Sequence, residues 1–176
     1  MLDLLIRLYK PNKGAIFFDG VNIEKIDIDS YREKISVIAQ KSFLFTGSVR
    51  NNIDLRDEYQ DKDIIEASKI SQAEAFIKNH LNLGVTANGD NISGGERQKI
   101  VVTRGVLNKA ELIILDEATS YYDIKSKENF RKMIIDYFYE STIIIVTHDY
   151  SWKSEVDKVF EISDGKLVQL EVREEQ

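Results

Sequence analysis

Apolar positions along the chain fall into two periods, one helical and one of short strand-like runs. Residues 2–8, LDLLIRL, put Leu2, Leu5, Ile6 and Leu8 near one face of a helix that must stop before Pro11. AIFFDG and VNI follow as two short strand-like pieces joined at Asp19-Gly20, a hairpin signal. Ser30 is placed to cap a short helix over 31–34, and ISVIAQ (35–40) reads as a strand ending in a polar residue. Residues 48–80 carry a largely helical pattern, clearest in DIIEASKI. The Gly- and Asn-rich loop LGVTANGDN follows at 83–91. Ser93 then caps a helix bearing Ile100, Val101, Arg104 and Leu107.

The run Leu112–Leu115 ends in Asp116-Glu117, the pattern of a buried parallel strand. A helix over roughly 125–138 leads to a second such strand, TIIIVT (142–147), ending at His148. KVFEI, the turn Asp164-Gly165 and KLVQLEV close the chain as another hairpin. Strands alternating with helices predict an α/β fold with a mostly parallel sheet and smaller antiparallel pieces near the ends. No linker, repeat or low-complexity segment interrupts it.

At 176 residues the chain is expected to form one domain with one core, able to bury roughly 70% of its unfolded surface without a disulfide or metal. Thirty acidic against 24 basic residues give a net charge of −6, which argues against a dedicated nucleic-acid binder. Cysteine is absent, so disulfide frameworks and thiolate sites are excluded, and a reducing compartment fits. Its apolar runs are too short to span a bilayer, and MLDLLIRLYKP is too short and too charged for a secretory signal.

Chemistry concentrates at four places. In Ile92-Ser93-Gly94-Gly95-Glu96-Arg97-Gln98, a serine and two glycines open a helix, leaving N–H groups unobstructed where the helix dipole favours an anion. Alone, Ser-Gly-Gly reads more readily as an ordinary glycine-rich cap. Asp116 and Glu117 stand where ligands bind in open α/β sheets, with Asp116 suited to Mg²⁺ and Glu117 to polarising a water. A single acid there would be a turn cap; two after a four-residue apolar run are harder to dismiss. His148 ends the next strand at the same expected sheet edge, suited to a γ-phosphate or to orienting Glu117. His80 reads as structural. Gln40, ending ISVIAQ, is a candidate for metal or water.

Together these residues resemble the nucleotide-binding domain of ATP-binding-cassette (ABC) transporters. ISGGERQ resembles the family's signature, LIILDEAT its Walker B strand with the catalytic glutamate, and Ser120–Asp123 its D-loop. IVTHD resembles the switch-histidine segment and IAQ the Q-loop, while RLYKPNKGAIFFDG and FLFTGSVRNNI look most like the exporter branch. The resemblance implies a P-loop NTPase-like sheet with a helical signature subdomain over about 48–92. The signature helix, Walker B, D-loop and switch histidine then occupy 93–176, all within one partial domain, 1–176. It implies ATP and Mg²⁺ as ligands, with Glu117 and His148 catalytic and Asp116 and Gln40 serving Mg²⁺. Ser93, Gly94, Gly95, Glu96 and Asp123 would contact nucleotide held by the opposite chain of a head-to-tail dimer. A transmembrane partner domain would hold the chain at the cytoplasmic face of a membrane.

The pattern breaks at one point. No G-x-x-x-x-G-K-[ST] phosphate loop occurs in the sequence. Gly165-Lys166 is a decoy, with Leu167 where Ser or Thr is required and Phe160 at the first glycine position. In the family the helix resembling LDLLIRLY follows that loop, so the N-terminal strands, the loop and the adenine-stacking aromatic are expected to be missing. The chain alone is then expected to be inactive, to bind ATP weakly or not at all, and to be weakly stable or self-associating through unpaired strand edges. Smaller departures are Glu96 in place of Gln, Tyr121-Tyr122 in the D-loop, and Ala87 where exporters carry a glutamate facing the membrane domain. The leading function is the ATPase domain of an exporter, as an incomplete fragment. The alternative is an inactive ABC-like interaction or regulatory module completing a partner's site. A DNA-repair or chromosome-structure ATPase is disfavoured, because sustained heptads are absent.

Overall fold

The computed structural model describes residues 1–39, 43–119 and 122–170, with Asn88 described by its backbone alone. Helix α1 covers Leu2–Leu5, shorter than its apolar pattern predicts. Arg7 turns left-handed (φ 55°), and the Leu8 N–H returns to the Asp3 carbonyl at 2.8 Å, so the helix closes well before Pro11. Arg7 holds this costly backbone because its guanidinium donates to the Ile26 carbonyl at 2.8 Å and lies over the Tyr31 ring. Strands β1 (Phe17–Phe18) and β2 (Val21–Asn22) pair antiparallel through Asp19 and Gly20, both at positive φ, the tight hairpin that Asp-Gly favours.

Helix α2 (Ile28–Glu33) begins earlier than expected, because its cap is Asp27 and not Ser30. The Asp27 carboxylate accepts the N–H groups of Asp29 (3.2 Å) and Ser30 (3.0 Å), and the Ser30 hydroxyl donates to it at 3.1 Å. A carboxylate at the N-cap gains from the helix dipole, which a serine one turn in does not. The buried Tyr31 phenol donates to the Leu5 carbonyl at 2.6 Å, tying α1 to α2.

Strand β3 (Ile35–Ala39) follows, then β4 (Gly47–Ser48), which pairs antiparallel with β5 (Gly84–Val85). Between them the helical stretch divides into α3 (Val49–Ile53), α4 (Asp61–Ile70) and α5 (Glu74–His80). Arg50 organises the first break: it binds the Asp61 carboxylate at 2.9 Å, the Tyr59 carbonyl at 2.7 Å and Asp57. Helix α6 (Gly94–Asn108), strand β6 (Leu112–Asp116), helix α7 (Ile124–Tyr137) and strand β7 (Thr142–Val146) complete the larger of two compact units, Met1–Val146.

Its sheet runs β3-β6-β7, all parallel, with Ala39, Asp116 and Val146 aligned at the carboxyl edge. Leu112–Leu115 are all buried, as a two-sided central strand requires, whereas every residue of β7 keeps some exposure. Helix α6 is seated on β3 at Gly105, where an added Cβ would lie 2.7 Å from Ser36 Oγ. The smaller unit, Thr147–Gln176, holds a helical turn at Tyr150–Trp152. Strands β8 (Val159–Ser163) and β9 (Lys166–Leu170) form its hairpin over Asp164-Gly165, both at positive φ. Among the described residues no helix is long and apolar enough to cross a membrane.

The close approach at Gly105 makes a direct prediction. Gly105→Ala should cost about 1–3 kcal/mol through overpacking. Ser36→Ala in the same chain should recover part of it, since the remaining Ser36 Cβ lies 3.5 Å from the new methyl position. Urea unfolding of the two single variants and the double variant measures the recovery.

Candidate functional site

The carboxyl edge of the sheet gathers the acids. Asp116 is the last residue of β6, flanked by Ala39 on one side and Val146 on the other. Its neighbours Leu112–Leu115 are buried while Asp116 itself is partly exposed, so the chain passes from core to solvent at this residue. Glu117 follows in a left-handed conformation (φ 49°), rare for a side chain with a Cβ. Its N–H donates to the Val146 carbonyl at 2.9 Å, so the strained residue is fixed to the end of β7. Parallel pairing therefore sets Asp116, and one further backbone bond sets Glu117.

The turn at Ser93 is a capping box. Ser93 Oγ accepts the Glu96 N–H at 3.3 Å, while Glu96 Oε2 accepts the Ser93 N–H at 3.0 Å and the Ser93 hydroxyl at 2.6 Å. These hydrogen bonds from Ser93 hold the Glu96 carboxyl below its ordinary range. The N–H groups of Gly94 and Gly95, in the first turn, lack intrahelical acceptors. A Cβ at Gly95 would meet nothing within 4 Å, so that side of the turn is open. The 15 residues of α6 separate this turn from the strand carrying the acids, roughly 22 Å of helix.

Asp123 caps α7, accepting the Ser126 N–H at 2.9 Å and the Ser126 hydroxyl at 3.0 Å, which lowers its pKa. Tyr122 beside it is half-buried against Phe130, ring centroids 5.5 Å apart, and burial pushes its phenol up to about 12. Thr147 and His148 follow β7 in the chain and belong to the smaller unit. Gln40, Ser120 and Tyr121 lie outside the described residues. Among the described residues no three His, Cys, Asp or Glu side chains gather as a metal cluster. Mg²⁺ at nucleotide sites usually takes one or two carboxylates besides phosphate oxygens and water, which Asp116 can supply.

An exposed aromatic pair is not apparent from the sequence pattern. Phe43 and Phe45 are half exposed or more and meet edge to face, with centroids 5.0 Å apart. The buried Asn52 clasps Phe45 from both sides: Phe45 N–H donates to Oδ1 at 2.7 Å and Nδ2 donates to the Phe45 carbonyl at 2.9 Å. The usable signal was Phe-Leu-Phe in a loop, where only the central residue, Leu44, can enter the core.

A parallel sheet flanked by helices, with Asp116 at its carboxyl edge, is an α/β fold of the kind that binds ligands at that edge. The chain belongs to the ABC transporter family, whose profile matches residues 1–120. It is 33% identical over 174 residues to the putative ABC transporter ATP-binding protein MG015 homolog of Mycoplasma pneumoniae, covering 97% of this chain and 27% of that protein. It is also 33% identical over 172 residues to the ATP-dependent lipid A-core flippase of Haemophilus ducreyi, covering 95% and 30% respectively. A solved bacterial Atm1-family ABC exporter with ATP bound matches with a TM-score of 0.87 and 26% identity, over 95% of this chain and 30% of that one. The chain thus spans less than a third of the length of these relatives. The parallel sheet flanked by helices agrees with the fold class read from the sequence.

The capping box predicts a pH dependence with a definite sign. A carboxyl held below its unfolded value stabilises the fold above that value and loses the contribution as pH falls through the folded one. Stability should therefore decline on acidification from about pH 4.5, the ordinary value for Glu96. Glu96→Gln, which keeps an acceptor oxygen but no charge, should flatten that part of the curve in thermal melts. A profile unchanged by the substitution would contradict the assignment.

Proposed function

We propose that this chain is the acid-edge and signature-bearing part of the ATP-hydrolysing domain of an ABC exporter, powering transport across a membrane. The observation that carries the reading is the Asp116-Glu117 pair at the end of a fully buried parallel strand, with Glu117 held left-handed by the Val146 carbonyl. In this reading Asp116 and Gln40 hold Mg²⁺, which when bound neutralises phosphate charge. Glu117 positions or deprotonates the attacking water, and His148 orients Glu117 and the γ-phosphate. Ser93, Gly94, Gly95 and Glu96 form the anion-facing turn of the signature, and Asp123 its D-loop partner; both serve the site of the opposite chain in a head-to-tail dimer. The open side of Gly95, and the N–H groups of Gly94 and Gly95 that have no acceptor within the helix, support that role.

In this reading a transmembrane partner domain holds the chain at the cytoplasmic face of the membrane, and the exposed Phe43 and Phe45 support it by offering apolar area for such a partner. One feature supports the second reading, a module that only completes a partner's site. No G-x-x-x-x-G-K-[ST] loop occurs in the 176 residues, and in that reading a partner chain supplies the triphosphate cradle.

Joining an upstream segment that carries a phosphate loop separates the two readings. The joined protein should hydrolyse Mg-ATP, and Glu117→Gln within it should cut turnover by about 100-fold or more while leaving ATP bound. A joined protein that binds ATP but never turns it over would favour the non-catalytic module. Undiminished turnover in the Glu117→Gln variant would refute the role given to Glu117.

A further inference from the structure

Strand β7 has the composition of an interior strand and stands at an edge. Its five residues, Thr142-Ile143-Ile144-Ile145-Val146, are all β-branched, with no charge, proline or glycine among them. Runs of this kind belong inside parallel sheets, covered on both faces and paired on both sides. Yet β6 is its one partner strand among the described residues, and each of its positions keeps some exposure. The hairpin strands are differently built: β8 carries Glu161 and β9 carries Lys166, charges of the sort that blunt a free edge. Nothing in β7 does so.

The hydrogen bonds to β6 show which backbone groups are left over. At one end the Thr142 N–H donates to the Glu111 carbonyl at 2.9 Å, and at the other the Val146 carbonyl accepts the Glu117 N–H at 2.9 Å. Successive residues of a strand turn their polar groups to opposite sides, so Thr142, Ile144 and Val146 address β6. Ile143 and Ile145 direct both N–H and C=O away from it. These outward groups match themselves. Under a twofold axis at Ile144, an antiparallel second β7 sets its Ile145 opposite Ile143 and its Ile143 opposite Ile145. Each such pair exchanges both N–H···O=C bonds, the hydrogen-bonded position of an antiparallel ladder. Ile144 then meets Ile144 of the second copy at the closer, non-hydrogen-bonded position, and Thr142 meets Val146, so β-branched side chains pair throughout.

We propose that β7 docks on β7 of a second copy of this chain, edge to edge and antiparallel, joining two three-stranded sheets into one. The pairing supplies acceptors and donors for the Ile143 and Ile145 backbone and covers isoleucines that are otherwise half-buried. Any extended segment satisfies the backbone groups; the twofold match of register and side chains selects a second copy, because a symmetric interface requires a self-complementary patch. The two halves of the joined sheet run in opposite directions, so their carboxyl edges, each with its Asp116, point opposite ways. This contact is separate from the head-to-tail arrangement of the preceding section and does not rest on it.

Sedimentation equilibrium of the 176-residue chain, from micromolar to millimolar concentration, should show a monomer–dimer transition. Amide hydrogen exchange by NMR on either side of that transition identifies the edge. The N–H groups of Ile143 and Ile145 should gain protection on dimerisation by about tenfold or more beyond any gain at Ile144, whose N–H is already bonded to β6. Ile145→Pro removes an outward N–H and no bond to β6, so the folded variant should stay monomeric; its far-UV spectrum and urea unfolding check that it folds. If Ile145→Pro does not fold, the exchange pattern of the unsubstituted chain decides by itself. A chain that is monomeric at every concentration, or a dimer whose gain at Ile143 and Ile145 only equals that at Ile144, would overturn the proposal. So would a folded Ile145→Pro variant that dimerises undiminished. Protection of both amides in the dilute monomer would give the edge to another strand of the same chain, and would equally overturn it.

Discussion

Strand β6 is the constraint on which the rest depends. It is paired in register on both sides, and its four apolar residues are shielded completely, so its position is over-determined. Burial then ends abruptly at Asp116, and the next residue must leave the sheet. It does so in a left-handed turn that the Val146 carbonyl captures. Core packing, rather than any bond to a ligand, therefore presents both carboxylates at the carboxyl edge. Strain at Glu117 persists because the surrounding strands leave it no cheaper path.

Helix α6 carries the turn proposed as the signature and is placed by a similar logic. The absence of a side chain at Gly105 lets the helix lie directly on Ser36 of β3. Tyr137 of α7 donates to the Val106 carbonyl at 3.1 Å and steadies its far end. At its near end Ser93 and Glu96 satisfy each other's polar groups, and Arg97 reaches back to Gly89. The turn at Ser93 is thus held by its own hydrogen bonds, so the anion binding proposed for it would carry little ordering cost.

Much of this was legible in the sequence because the signals were local. The apolar runs LIIL and TIIIV, Ser93 with Glu96 three residues on, and the two Asp-Gly hairpins each specify their own element. The motif order that identified the family was equally readable. What escaped was decided by competition or by tertiary contact. Asp27 displaced Ser30 as a cap because both were eligible and the carboxylate is favoured at a helix N-terminus. Arg7 ended α1 early through contacts with Ile26 and Tyr31, remote in sequence. The helical pattern of 48–80 hid two breaks, the first of them at 54–60, where Arg50 binds the Tyr59 carbonyl and Asp61. The roles of Phe43 and Phe45 needed the burial of Leu44 to become visible.

In the proposed reading these 176 residues carry an acid edge and a signature turn, and they contain no G-x-x-x-x-G-K-[ST] motif to cradle a triphosphate. Calorimetric titration of Mg-ATP into the purified, folded 176-residue chain tests it most directly. No binding is expected up to millimolar nucleotide, because most of the affinity at such sites comes from the phosphate loop with its metal. Micromolar binding would contradict it, and would mean that these residues assemble a nucleotide site without that loop.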